Sequence, residues 1–295
     1  MKRNRQIILF FILIAGLCVG LYGISENALI AVSIIVFCSA CLTFIFNVFT
    51  KEYSWTDRLW STLPIFMAWI YYFKTPNAVL LITAGLATIW GIRLTFNFSR
   101  KGGYNEKEDY RWAYLRKKLG SGFVWQIFSL FFIAFYQQAL FVGFTSPLFL
   151  ISKSEVKSNT FTYIFALLAI MFLVLETVAD QQQWVFQESK YGRTLKKEKF
   201  AKDYTLGFRI SGLFSISRHP NYLGELGFWW SIYLLCSSTV GDLINLTIIG
   251  PVLLTLLFVG SVSFTEGISR EKYKDYNWYR KKVSPVFPLV WKRLK

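Results

Sequence analysis

Long apolar runs separated by short charged connections dominate the chain. Runs long enough to cross a bilayer stand at about 7–24, 28–50, 59–73, 78–98, 122–144, 160–182, 220–240 and 243–265. A bilayer core takes about 20 residues of helix and leaves no water to satisfy backbone groups, so each run predicts a transmembrane helix. The pattern therefore predicts an all-α, polytopic transmembrane helix bundle of about eight helices. The third run is the least regular, because it is short and carries Pro64. The first follows Lys2, Arg3 and Arg5 and is followed by Tyr22 and Glu26 rather than a small-residue cleavage site, which predicts a retained helix.

Charge adds orientation. With the N-terminus in the cytoplasm, eight crossings place 51–58, 99–121, 183–219 and 266–295 on the cytoplasmic side. Of the 33 Lys and Arg residues, only Lys74, Lys153, Lys157 and the intrahelical Arg93 fall elsewhere, the asymmetry of the positive-inside rule. Both termini are thus expected to be cytoplasmic. The net charge of +16 is spread over loops between apolar spans. That spread fits topology and anionic membrane lipids as partners, and does not fit a nucleic-acid module.

Composition agrees, with 54% hydrophobic and 19% aromatic residues. Cys18, Cys38, Cys41 and Cys236 all lie in apolar segments and read as packing residues. A single histidine with no cysteine beside it leaves no ligand set for zinc or haem. Nothing marks a domain boundary, so the chain reads as one integral membrane domain. Within it, 1–120 is expected to build scaffold or a substrate wall and 165–290 to hold the reactive site.

Polar groups inside apolar runs are costly without a partner or a task. Glu176 and Asp180 stand four apart on one helix face, followed by Gln181, Gln182 and Gln183. They are expected either to pair with a basic residue such as Arg93 or to line a polar cavity open to the cytoplasm. The loop from Lys190 to Arg218 carries Arg193, Lys196, Lys197, Lys199, Lys202 and Arg209. Its lysines read as a solvated face. Arg209 and Arg218 stand beside apolar or glycine positions, where guanidinium forks suit phosphates.

The densest chemistry runs from Ser217 to Glu225, which holds Arg218, His219, Asn221 and Tyr222. Pro220 fits the first turn of a helix, and Gly224 and Gly227 allow close approach of a backbone or a flat ligand. His219 is suited to binding or proton transfer. Glu266, ending the last apolar run, is expected to pair with Arg218 or Arg270 or to contact a ligand. The basic, aromatic tail from Ser269 onward reads as an interfacial helix.

These residues carry a resemblance. Arg-His-Pro-Asn-Tyr followed by Gly-Glu, the upstream Glu176-x-x-x-Asp180-x-Gln182, the closing stretch from Tyr273 to Pro288 and Asp-Tyr-Arg-Trp at 109–112 resemble the bacterial DUF1295 membrane proteins. That family is related to the C-terminal domain of steroid 5-alpha-reductases, to sterol reductases and to isoprenylcysteine carboxyl methyltransferases. The resemblance implies a multi-pass protein of the inner (cytoplasmic) membrane. It implies a cytoplasm-facing pocket for NADPH and a lipophilic substrate that enters from the bilayer. Asp180, Arg209, Asn221 and Glu225 match cofactor-contacting positions, and Glu176 stands where the steroid reductases carry asparagine. Arg218, His219 and Tyr222 belong to the shared motif, and Tyr276 becomes a cofactor contact within a tail that caps the pocket.

The same signature surrounds S-adenosylmethionine in the methyltransferase branch. The Gln-Glu pair and tyrosine that polarise the substrate carbonyl in steroid reductases have no counterpart here. The replacements are Tyr110 and Asp109, or Gln137 and Gln138, the last two equally read as interhelical hydrogen-bonding groups. The leading expectation is an NADPH-dependent reductase of a lipid-soluble, sterol-like or enone double bond. The alternatives are a lipid or prenyl-protein methyltransferase using S-adenosylmethionine, and a non-catalytic lipid-binding or scaffold protein.

Overall fold

The computed structural model describes residues 2–105, 108–120, 122–195, 198–289 and 291–294. Lys196 and Lys197 of the basic loop lie outside the described residues. Helices occupy Lys2–Leu21 (α1), Ala28–Thr50 (α2), Trp55–Leu59 (α3), Leu63–Lys74 (α4), Ala78–Arg100 (α5), Tyr110–Leu119 (α6) and Phe123–Phe128 (α7). They continue with Gln137–Thr145 (α8), Pro147–Ser152 (α9), Thr160–Lys190 (α10), Ala201–Leu206 (α11), Pro220–Val240 (α12), Ile249–Lys272 (α13) and Tyr276–Lys282 (α14). A π-helical stretch, Ser129–Tyr136, joins α7 to α8. Among the described residues β-structure is limited to the isolated bridges Ser217 with Ser284 and Leu289 with Lys292.

Six helical stretches are long and apolar enough to cross a membrane: Asn4–Ile24, Ala28–Thr50, Ala78–Arg100, Phe123–Thr145, Thr160–Lys190 and Leu246–Lys272. The other two expected spans are helical but differ in kind. The run at 59–73 breaks into α3 and α4, with Pro64 in the first turn of the new helix, where its missing N–H is not needed. At 12 residues α4 reaches only about 18 Å, well short of a bilayer core. Helix α12 has the length, 21 residues, but, interrupted by Asn221, Glu225 and its serines, is not among the six.

Asparagine sets two of the helix starts. Asn27 accepts from the Leu29 N–H at 3.0 Å and opens α2, and Asn77 accepts from the Leu80 N–H at 2.9 Å and opens α5.

The chain divides into two compact units, residues 1–166 with 232–251 and residues 167–231 with 252–295. In the first unit, Phe10, Trp55, Tyr71, Trp90, Trp125, Phe141 and Phe144 are fully buried. Large apolar side chains such as Val19, Phe37, Phe49 and Phe96 point outward, the surface a hydrocarbon solvent favours. On α2 the buried face carries Ser39, Thr43 and Asn47. Helices α8 and α13 touch backbone to backbone at Gly143 and Gly250, where a Cβ on Gly143 would stand 3.1 Å from the Gly250 Cα.

Arg111 on α6 pairs with Asp57 at 3.7 Å, which ties the segment after α2 to that helix. Arg58 meets Glu52 at 2.6 Å with both side chains buried, and Arg116 meets Glu108 at 2.6 Å. The Trp112 indole N–H donates to Asp57 at 2.7 Å.

In the second unit the tail is laced onto the loop before α12. The Arg218 and His219 N–H groups donate to the Ser284 and Pro285 carbonyls at 2.9 Å each, and the Leu294 N–H donates to the Ser215 carbonyl at 2.9 Å. Phe208, Ile210, Tyr276, Tyr279 and Val283 close an apolar cluster beneath this lacing.

Candidate functional site

Most of the chain's buried ionisable groups outside the α3–α6 ion pairs fall in the second unit. Glu176, Asp180, Asp203, Arg209, Arg218, Glu225 and Glu266 are each at most 8% exposed. Charges this deep need partners or a task, which makes the cluster the candidate site.

Helix packing puts the first part together. A Cβ on Gly224 would stand 2.5 Å from the Glu176 Cβ and 2.9 Å from its backbone nitrogen, and one on Gly227 would enter the Phe172 ring. The two glycines therefore admit α10 rather than a flat ligand. Their contact packs α12 against α10 beside Glu176, and Glu176, Asp180 and Glu225 are all buried.

The second part is the loop 207–219. Helix α11 ends at Gly207, whose φ of 78° suits glycine. Asp203, on α11, accepts from the Ile210 N–H at 3.3 Å and the Ser211 hydroxyl at 2.5 Å. Gln182, at the end of the Glu-x-x-x-Asp-x-Gln motif, accepts from the Leu213 N–H at 3.0 Å through its side chain. Its amide lies against Gly212, where a Cβ would come within 2.5 Å. Asp203 reads in sequence as one more charge in a lysine-rich loop, and only its burial separates it from that background.

The two buried arginines differ in their engagement. Arg218 grips Glu266 with two bonds, Nε to Oε1 at 2.7 Å and Nη2 to Oε2 at 3.1 Å. Its Nη1 donates to the Arg280 carbonyl at 2.9 Å and also to the Val283 carbonyl. All of its nitrogens are thus committed to the protein. Arg209 donates from Nη1 to the Gln182 carbonyl at 2.5 Å and from Nε to the Ser211 carbonyl at 3.3 Å, and stacks on Phe200. Among the described residues no carboxylate forms a salt bridge with it and Nη2 carries no hydrogen bond. Burial pulls its pKa down from the usual arginine value, with partial compensation from Asp203 and Tyr204.

Glu266 is the hub of the third part. Besides Arg218 it takes Arg280 Nε at 2.7 Å and His219 Nε2 at 3.1 Å. The His219 ring stacks on Tyr222 with centroids 5.0 Å apart, and Tyr222 meets Phe258 edge-on at 4.8 Å. Asn221, half-buried at the start of α12, makes no side-chain hydrogen bond among the described residues. Tyr276 packs edge-on against Phe208 at 5.1 Å, and burial pushes its phenol well above the usual range.

Asp109 and Tyr110 lie in the first unit. Asp109 caps α6, accepting from the Arg111 N–H and Nε at 2.9 Å each, while Tyr110 is 60% exposed. Gln137 and Gln138 are buried, and Gln138 Nε2 donates to the Thr43 hydroxyl at 2.8 Å, an interhelical bond.

Helices of membrane-crossing length and a buried, charged second unit define a polytopic helical membrane protein with a polar site built near its C-terminal end. The chain belongs to the DUF1295 family, described as a protein of unknown function, whose model matches residues 43–283. It is also similar to an uncharacterized protein of Schizosaccharomyces pombe, 35% identical over 258 residues, 83% of this chain and 75% of that one. No solved structure matches it.

Proposed function

We propose that this protein is an integral membrane reductase that uses NADPH to saturate a double bond in a lipid-soluble, sterol-like or enone substrate. The observation that carries the reading is the contrast between the two buried arginines. Arg218 is neutralised by Glu266, whereas Arg209 is held in place by two carbonyls and keeps its charge and its Nη2. A guanidinium fixed in this way, with no carboxylate salt bridge among the described residues, suits a phosphate.

The remaining residues fit the rest of a nucleotide. The Asn221 amide, which makes no side-chain hydrogen bond among the described residues, offers donors and an acceptor, and the carboxylates of Asp180 and Glu225 suit ribose hydroxyls as acceptors. When bound, NADPH supplies the hydride. The second hydrogen of the saturated product arrives as a proton, for which His219 is suited, its ring oriented by Glu266 on one edge and Tyr222 on one face.

The test is binding of NADPH and of S-adenosylmethionine to the detergent-purified full chain, read by thermal shift and nucleotide fluorescence. Saturable NADPH binding is expected, weakened roughly 10-fold or more in Arg209→Gln, the scale of a lost hydrogen bond to a charged group. Binding of S-adenosylmethionine alone would move the assignment to methyl transfer. Binding of neither would favour a non-catalytic lipid-binding protein.

A further inference from the structure

The first unit holds a second concentration of buried polar groups. Ser39, Thr43 and Asn47 succeed one another at four-residue spacing along α2, and Ser39 stands at the middle of a 23-residue apolar helix. Facing them, Asn47 Nδ2 donates to the Ser129 hydroxyl at 3.1 Å and Gln138 Nε2 donates to the Thr43 hydroxyl at 2.8 Å. All five side chains are at most 1% exposed.

The seam is left incomplete. Ser39 Oγ, Asn47 Oδ1 and Gln138 Oε1 are buried with no hydrogen-bond partner among the described residues. Each amide oxygen sits on the same planar group as the nitrogen that bonds across the seam. Reversing either amide does not help, because the oxygen would then take the hydroxyl and the nitrogen would be left alone. An isolated polar group at this depth costs several kcal/mol.

The backbone here is also irregular. The facing helix runs as a π-helix over Ser129–Tyr136, a form that clusters at functional sites. Its Ile133 carbonyl is taken by the Thr56 hydroxyl at 2.7 Å rather than left to the seam. The unmet need is therefore confined to side-chain ends that accept, or on reversal donate.

We infer that the seam between α2 and the π-helical stretch is a binding site for a hydroxyl group. A hydroxyl donates to an amide oxygen as the amides stand and accepts from the Ser39 hydroxyl or, on reversal, from an amide nitrogen, whereas a carbonyl can only accept. Two sources share this chemistry, an internal water and the alcohol head of a lipid. The site lies wholly in the first unit and does not depend on the nucleotide reading.

Two measurements on the wild-type chain in nanodiscs decide the matter. The first is the thermal shift produced by n-dodecanol against n-dodecane. The second is hydroxyl-radical footprinting of Ile35, which has no exposed surface and stands one turn before Ser39 on the same buried face of α2. A saturable rise of several degrees with the alcohol alone identifies a lipid hydroxyl. Modification of Ile35 at a rate comparable to an exposed side chain, with no alcohol effect, identifies a water.

The double variant Asn47→Leu with Gln138→Met is expected to abolish whichever signal appears and to lower the melting temperature, with Thr43→Val as the milder alternative should it fail to fold. Absence of both wild-type signals would overturn the proposal. So would a double variant as stable as wild type that retains the signal.

Discussion

Arg218 and Glu266 meet end to end, with Nε to Oε1 at 2.7 Å and Nη2 to Oε2 at 3.1 Å, both side chains almost fully buried. The same carboxylate also holds His219 and Arg280. Arg218→Ala leaves a buried carboxylate short of its main counter-charge. It is expected to cost about 3–5 kcal/mol, measured by denaturation of the purified protein in detergent. Arg218→Lys keeps the charge but loses the paired bonds and should recover only part of that loss.

Gly224→Ala drives a methyl group into Glu176, and Gly227→Ala drives one into Phe172. Each is expected to destabilise by about 1–3 kcal/mol through overpacking. Gly85→Ala meets open space on α5 and should be neutral or slightly stabilising, since alanine favours a helix by up to about 1 kcal/mol. Thermal midpoints of the three variants, measured side by side, separate packing from propensity.

Burial pushes the Asp57 carboxyl up to about 6, against the opposing pull of Arg111 and of the Trp112 hydrogen bond. An acid with a raised folded-state pKa binds more protons folded than unfolded between its unfolded value, about 3.9, and 6. Its contribution thus makes stability fall as pH rises through that window and is constant above it. Asp57→Asn retains an oxygen for Trp112 and removes the titration. The gap between the variant and wild type should therefore change between about pH 4 and 6 and stay level from 7 to 8, as read from melting temperature against pH.

Asp203→Ala removes the acceptor for the Ile210 N–H and the Ser211 hydroxyl, both beside Arg209. A stability loss of about 1–3 kcal/mol is expected from the unpaired groups. NADPH affinity should fall as well, since the loop that aims Arg209 is loosened. Titration of NADPH into the variant below its melting temperature checks the second effect separately from the first.

Helices were legible in the sequence because hydrocarbon solvent writes them as long apolar runs, and six of these run at membrane-crossing length. The break between α3 and α4 was signalled by Pro64 but not located by hydropathy, which is blind to where a chain turns. The π-helical stretch left no trace in Ser129–Tyr136 because its composition is that of any apolar helix.

In the candidate site, motif spacing placed Glu176 and Asp180 on one helix face and Glu225 with Asn221 on another, and the Gly224 and Gly227 contacts show that the two helices meet. It did not divide the labour of the arginines. Arg209 and Arg218 look alike in sequence, and what separates them is Glu266, 48 residues beyond Arg218. Gln182 was expected at a helix end but lies inside α10, which runs on to Lys190, and its grip on Leu213 depends on the loop's conformation, which glycine at 212 permits.

The bonds that fix the loop before α12 reach 65 to 69 residues along the chain, from Arg218 to Val283 and from Ser217 to Val286. During synthesis the loop and the carboxylates around it therefore leave the ribosome well ahead of the segment that holds them. Until that segment arrives, a nascent chain carries Arg218 without its tail carbonyls and Glu266 without Arg280. A stop codon or frameshift a few residues upstream of Val283 would spare every membrane-crossing helix and still leave a product with an open, charged wound, the kind of defect that membrane proteases recognise and clear.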